Sequence, residues 1–109
     1  MKDHVNNYDI FEGTDLEIAD KIQRRRLQIL IHSCLYYHMN TNIISDKQYD
    51  TWARELQALQ NDNPKIAGKV IWADAFKDYD ASTGFDLPIT DPWVIKKAQY
   101  ILKGGLNES

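Results

Sequence analysis

The sequence has one cysteine, Cys34, three prolines and five glycines in 109 residues. A lone cysteine cannot close an intramolecular disulfide, so nothing points to an oxidising compartment. Basic charge is not in surplus either: 13 lysines and arginines face 16 acidic residues, for a net charge of −3. Proteins that grip phosphate backbones carry the opposite balance, so direct nucleic-acid binding and adhesion to anionic membranes are not expected. No apolar run approaches the ~20 residues of a membrane span. Residues 1–13 lack the basic-then-apolar order of a secretory signal. There is no internal repeat and no low-complexity segment. What is present is a chain 43% hydrophobic and 27% charged, enough for one domain with a small core. A soluble, cytoplasmic protein is the expectation.

Residues 1–13 mix asparagine, aspartate and aromatics without a period and read as an irregular arm. Thr14 and Glu17 have the spacing of a capping box. After them Leu16, Ala19, Leu27, Leu30, Ile31, Cys34 and Leu35 recur at three- and four-residue steps, which predicts a helix from about Asp15 to Met39. Asn40-Thr41-Asn42 stops it. Ser45-Asp46-Lys47-Gln48 is a second capping box, and Tyr49, Trp52, Ala53, Leu56 and Leu59 mark one face of the helix it opens, which ends at Asn61-Asp62-Asn63-Pro64. About five residues join the two helices, which makes them an αα-hairpin. Between Lys65 and Tyr79 a short strand at Val70-Ile71-Trp72 competes with a helical face through Ala73, Phe76 and Tyr79, the second fitting slightly better. Asp80-Ala81-Ser82-Thr83-Gly84 is turn chemistry. Asp91-Pro92 starts a last helix with Val94, Ala98, Ile101 and Leu102 buried, and Gly104-Gly105 closes it. The fold class is all-α: an arm over 1–13, a helical hairpin over 14–64, and an extension over 65–109 packed on the hairpin within one domain.

Chemistry concentrates at the hairpin corner, LYYHMNTNIISDKQYD, residues 35–50. Asp46, Tyr49 and Asp50 are three and four positions apart and share a helix face, while Tyr36 and Tyr37 end the preceding helix. Aromatic faces beside carboxylates suit a ligand with a cationic ring and hydroxyls: the ring quadrupole attracts the cation, and the carboxylates accept hydrogen bonds. Each residue also has a structural reading, since Asp46 and Asp50 complement a helix dipole and the tyrosines can cover the hairpin core. Elsewhere the signals are weak. Arg24-Arg25-Arg26 spreads across helix faces and reads as a solvated surface. His32 and His38, six apart, do not share a face, and Cys34 has no CxxC partner, so no metal is expected. Ser33 and Cys34 lack a positioned base. Trp72, Phe76, Phe85 and Trp93 fold the extension over the hairpin.

The run YYHMNTNIISDKQYDTWARELQALQNDNP resembles the N-terminal Ia domain of bacterial NAD-dependent DNA ligases. Without a gap, Tyr36-Tyr37 matches that family's aromatic pair, Asp46 its central aspartate, Tyr49-Asp50 its Tyr-Asp and Arg54-Glu55-Leu56 its trailing motif. In the ligases this domain recognises the nicotinamide mononucleotide (NMN) half of NAD. The resemblance therefore implies that Tyr36 and Tyr37 contact the ring and ribose-phosphate and Tyr49 the nicotinamide side. It also implies that Asp46 and Asp50 hold ribose or balance the pyridinium. Asn40-Thr41-Asn42 replaces the family's Asp-x-Pro turn, and the sequence contains no Lys-x-Asp-Gly, so the lysine that ligases adenylylate is missing. From Lys65 onward the sequence is more similar to small stand-alone ligase-related proteins of bacteriophages of Gram-positive bacteria.

The expected function is thus recognition of NMN or NAD by a phage-type protein without ligase machinery, in the cytoplasm of a bacterial host, with no metal and no membrane partner. The alternative is a phage protein that uses the ligase-like scaffold to bind a host protein, in defence (CRISPR-Cas systems included) or in replication and repair. An enzyme acting on NAD ranks lowest, because no specific nucleophile or tuned acid is identifiable.

Overall fold

In the computed structural model, residues 13–82 and 87–104 are described. The arm expected at the start lies outside them apart from Gly13, as do Thr83, Gly84, Phe85 and Gly105. The fold is all-α. Five helices are formed among the described residues: α1 (Thr14–Ser33), α2 (Asp46–Asp62), α3 (Pro64–Ala67), α4 (Ala73–Phe76) and α5 (Pro92–Leu102). Helix α1 runs on into one π-helical turn, Cys34–His38. It packs against α2 as the expected antiparallel hairpin partner and also receives α3 and α5.

Local chemistry explains most boundaries. Ser45 caps α2, its hydroxyl accepting from the Gln48 N–H at 3.0 Å. Asp91 caps α5 in the same way, accepting from the Trp93 N–H at 2.8 Å, with Pro92 in the first turn. Gly104, at φ +77°, supplies the left-handed closure that follows α5, and its N–H donates to the Ile101 carbonyl at 2.9 Å. The start of α1 differs from expectation. Gly13, at φ +56°, is the cap residue; its carbonyl accepts from the Leu16 and Glu17 N–H groups, and Thr14 lies inside the helix with no side-chain cap. The Thr14 capping box is therefore not formed. Replacing Ser45 with alanine should lower stability by about 1 kcal/mol, read as a lower urea midpoint at unchanged slope.

The core stripe of α1 and the π-helical turn is Ala19, Ile22, Ile29, Leu30, Cys34 and Leu35, all at 0% exposure, while Leu16 is surface-exposed. Ala53 and Leu56 of α2, Phe76, and Val94 and Ala98 of α5 close on it, with Trp52, Leu59 and Trp93 at the margin.

The arginine triplet is not a solvated face. Arg26 is 1% exposed and holds the extension in place. Its Nε donates to Gln60 Oε1 at 2.9 Å, Nη1 to the Val70 and Ile71 carbonyls at 3.0 Å each, and Nη2 to the Ala67 carbonyl at 2.9 Å. The guanidinium also lies over the Phe76 ring, 5.5 Å from its centre. Arg25 pairs with Glu55 at 2.9 Å and sits over Trp52; only Arg24 is exposed. Pinned carbonyls at Val70 and Ile71 explain why residues 70–72 form neither strand nor helix but a turn, with Trp72 at φ +70° leading into α4.

Candidate functional site

Gln60 and one further side chain of α2, Gln57, extend what Arg26 begins. Gln60 Nε2 donates to the Phe76 carbonyl at 3.1 Å, and Gln57 Oε1 accepts from the Ala81 N–H at 2.6 Å. Asp80 Oδ1 then accepts from the Ser82 N–H at 2.9 Å, the expected turn. Ala81 and Ser82 are thereby brought against the hairpin corner, where they form one wall of a cleft of about 450 Å3.

Tyr36, Tyr37, Asp46, Tyr49 and Asp50 all line this cleft. The π-helical turn places the first two: the Met39 N–H reaches back to the Cys34 carbonyl at 3.0 Å, one residue beyond α-helical spacing. The Thr41 N–H then bonds the Leu35 carbonyl at 2.8 Å across Asn40, which takes φ +54°. Tyr36 and Tyr37 stand edge-to-face, 4.9 Å between centres, and are 52% and 43% exposed, so neither belongs to the core. Tyr49 is half-buried between cleft and core, and its hydroxyl hydrogen-bonds the buried Ser33 hydroxyl at 2.6 Å. Burial pushes the Tyr49 phenol up, so it is uncharged at neutral pH. Asp46 and Asp50 are exposed. Asp50 accepts from Arg54 Nε through both oxygens, at 2.9 and 3.1 Å, and Arg54 also lines the cleft.

Sequence reasoning missed His32. It lines the cleft, is 4% exposed, and packs against Trp52 with ring centres 5.5 Å apart. Neither ring nitrogen has a hydrogen-bond partner among the described residues. Its place four residues before Tyr36 was the available signal, since that spacing shares a helix face.

Desolvation holds the His32 imidazole below its ordinary pKa near 6.5. The unfolded chain therefore takes up the proton more readily, so the stability tied to the neutral ring is complete above about pH 6.5. It is lost as pH falls from there toward the folded-state value. Chemical unfolding from pH 7.5 to 5.5 should show this loss, and His32→Leu should remove that part of it.

In size, and in combining aromatic faces with a few polar groups, the cleft has the make-up of a small-molecule site. The class defined by fold and cleft is a small all-α domain with a polar and aromatic cleft at its hairpin corner. Residues 15–69, half of the chain, match the family described as "DNA ligase-like, N-terminal NAD+-binding domain", and the chain belongs to that family. Among similar proteins, the DNA ligase of Bacteroides fragilis is 40% identical over 50 residues, 46% of this chain and 8% of the relative. That of Endomicrobium trichonymphae is 38% identical over 50 residues, covering 46% and 7%. That of Leptospira biflexa is 43% identical over 42 residues, covering 38% and 6%. The chain thus spans less than a tenth of the length of these curated relatives. No solved structure matches it. Among the described residues no helix is long and apolar enough to cross a membrane, and no cluster of metal-ligating side chains occurs.

Proposed function

We propose that the chain recognises the nicotinamide mononucleotide half of NAD in the cleft at the hairpin corner, as a binding module that performs no ligation. The observation that carries this reading is the convergence of Tyr36, Tyr37, Asp46, Tyr49 and Asp50 on a single cleft, in a chain of an NAD+-binding domain family. The pyridinium ring sits against the exposed tyrosine pair, whose electron-rich faces favour a cation. The Asp46 carboxylate lines the cleft, makes no hydrogen bond among the described residues, and accepts from the ribose hydroxyls. Tyr49, anchored by Ser33, gives the ring a fixed wall. The nucleotide also carries a phosphate. Arg54 answers it: Asp50 engages only the Nε of this guanidinium, which leaves both Nη groups for phosphate oxygens.

The test is thermal unfolding with increasing NMN, NAD and adenosine monophosphate. At ten times its dissociation constant a ligand adds about 1.4 kcal/mol, a shift of several degrees in a domain of this size. NMN and NAD should give saturable shifts and adenosine monophosphate none. Equal shifts with all three, or none with any, would remove the proposal.

A further inference from the structure

We infer that His32 is the specificity-determining residue of this cleft, an uncharged imidazole kept without protein partners so that it can hydrogen-bond the carboxamide of a pyridine-ring ligand. The inference rests on the nucleotide reading above and assigns the polar contact that reading leaves open.

Both nitrogens of His32 are buried and unpaired among the described residues, although the residue lies in a cleft wall and is only 4% exposed. A neutral imidazole carries one donor and one acceptor, and leaving them buried without partners destabilises the unliganded fold. Leucine at this position would pack against Trp52 and the core at no such cost. A buried polar group that weakens the free domain and borders a cleft has the character of a group held ready for a ligand.

Position along the chain indicates which part of the ligand it meets. His32 precedes Ser33, whose hydroxyl holds Tyr49, and lies one turn before Tyr36, so it lies near tyrosines that line the cleft. Asp46 and Asp50 project from the first turns of α2. A pyridinium ring among the tyrosines carries its carboxamide toward the imidazole, while ribose and phosphate extend toward the carboxylates and Arg54. An amide both donates and accepts, which matches either tautomer of an uncharged histidine. A phosphate would instead call for the protonated ring, which burial disfavours.

The experiment is a cycle of protein and ligand changes: wild type, His32→Leu and His32→Gln, each titrated with NMN and with the same nucleotide lacking its carboxamide. Wild type should lose about tenfold or more in affinity when the carboxamide is removed. His32→Leu should bind both nucleotides equally at the weaker level and, without ligand, melt at or above the wild-type temperature. His32→Gln, which again offers a donor and an acceptor, should recover part of the preference. A retained carboxamide preference in a folded His32→Leu would overturn the assignment while leaving the nucleotide site standing. A lowered melting temperature with unchanged binding would overturn it too, making His32 a packing residue. Should His32→Leu fail to fold, imidazole 15N resonances of the wild type decide: the His32 signals must move with NMN and stay in place with the analogue. Absence of NMN binding by the wild type removes the nucleotide reading, and this assignment with it.

Discussion

Replacing Arg26 with methionine should destabilise the domain by about 3–5 kcal/mol, because several buried acceptors lose their donor at ~1–3 kcal/mol each. Set against the ~5–15 kcal/mol that holds a domain of this kind folded, the change would leave it close to unfolding at 37 °C. Methionine keeps much of the aliphatic volume, so the loss isolates the guanidinium. At least four acceptors among the described residues depend on it: Gln60 Oε1 and the carbonyls of Ala67, Val70 and Ile71. Two of those bonds are fully buried, so water cannot replace the donor without opening the fold, and each stranded carbonyl costs the desolvation it underwent on folding. Arg26→Lys should recover only part of the loss, because a compact ammonium cannot span acceptors that a planar fork reaches from three nitrogens. Arg24→Met, on the exposed side of the triplet, should stay within about 0.5 kcal/mol of wild type. Urea unfolding of the three variants checks the ranking; equal midpoints for Arg24→Met and Arg26→Met would discard the central role given to Arg26. Because Gln60, which Arg26 engages, also holds the Phe76 carbonyl, and Gln57 one turn earlier on α2 holds Ala81, a destabilised Arg26 variant should also lose the cleft wall formed by residues 81 and 82 before the hairpin melts.

Arg26 also marks where the sequence stopped being readable. Three consecutive arginines look alike, yet successive helix positions turn by 100°, and residue 26 lies four after Ile22, three before Ile29 and four before Leu30. That places it on the buried stripe, which the spacing of isoleucines and leucines contains. The number and direction of its partners lie in residues 60–76, and no local pattern links them to position 26. The same long-range dependence explains Val70-Ile71-Trp72, where a strand competes in the sequence with a slightly better helical face and an arginine 44 residues earlier in the chain holds the Val70 carbonyl. Elements fixed by adjacent residues were legible: the Ser45 and Asp91 caps, the end of α2 at Asp62 and the apolar face of α2. The Thr14 box failed for an equally local reason, since Gly13 already closes the first turn with its carbonyl. At the corner, the five candidate residues could be grouped by spacing on two helix ends. The π-helical turn that brings out both Tyr36 and Tyr37, the Ser33–Tyr49 bond and the unpartnered His32 required the packed structure, because each depends on how one helix meets the other.

Asp46→Ala should weaken NMN binding by about tenfold to a hundredfold, the worth of ~1.5–3 kcal/mol for a hydrogen bond to a charged group, and should do so more severely than Asp50→Ala. The two carboxylates stand one turn apart on the same face of α2, but their circumstances differ. Asp46 opens the helix, is exposed, and is engaged by no side chain among the described residues; its full charge and both oxygens are available to a ligand. Asp50 already holds Arg54 through both oxygens, in an exposed pair that contributes little to stability. Removing Asp50 therefore takes away a carboxylate but also frees a guanidinium for the phosphate, and the two effects partly cancel. Asp46→Asn, which keeps an acceptor and loses the charge, should fall between wild type and Asp46→Ala. Some loss of stability is expected from Asp46→Ala in the absence of ligand, about 0.3–1 kcal/mol, because an acidic residue in the first turn complements the helix dipole. Affinity must accordingly be measured by calorimetric titration below the unfolding transition, with circular dichroism confirming the fold. A folded Asp46→Ala that binds NMN as wild type does would exclude the corner as the nucleotide site. Were Asp50→Ala the weaker binder of the two, the site would stand with the roles of the carboxylates exchanged, the ion pair with Arg54 opening on binding so that Asp50 faces the pyridinium.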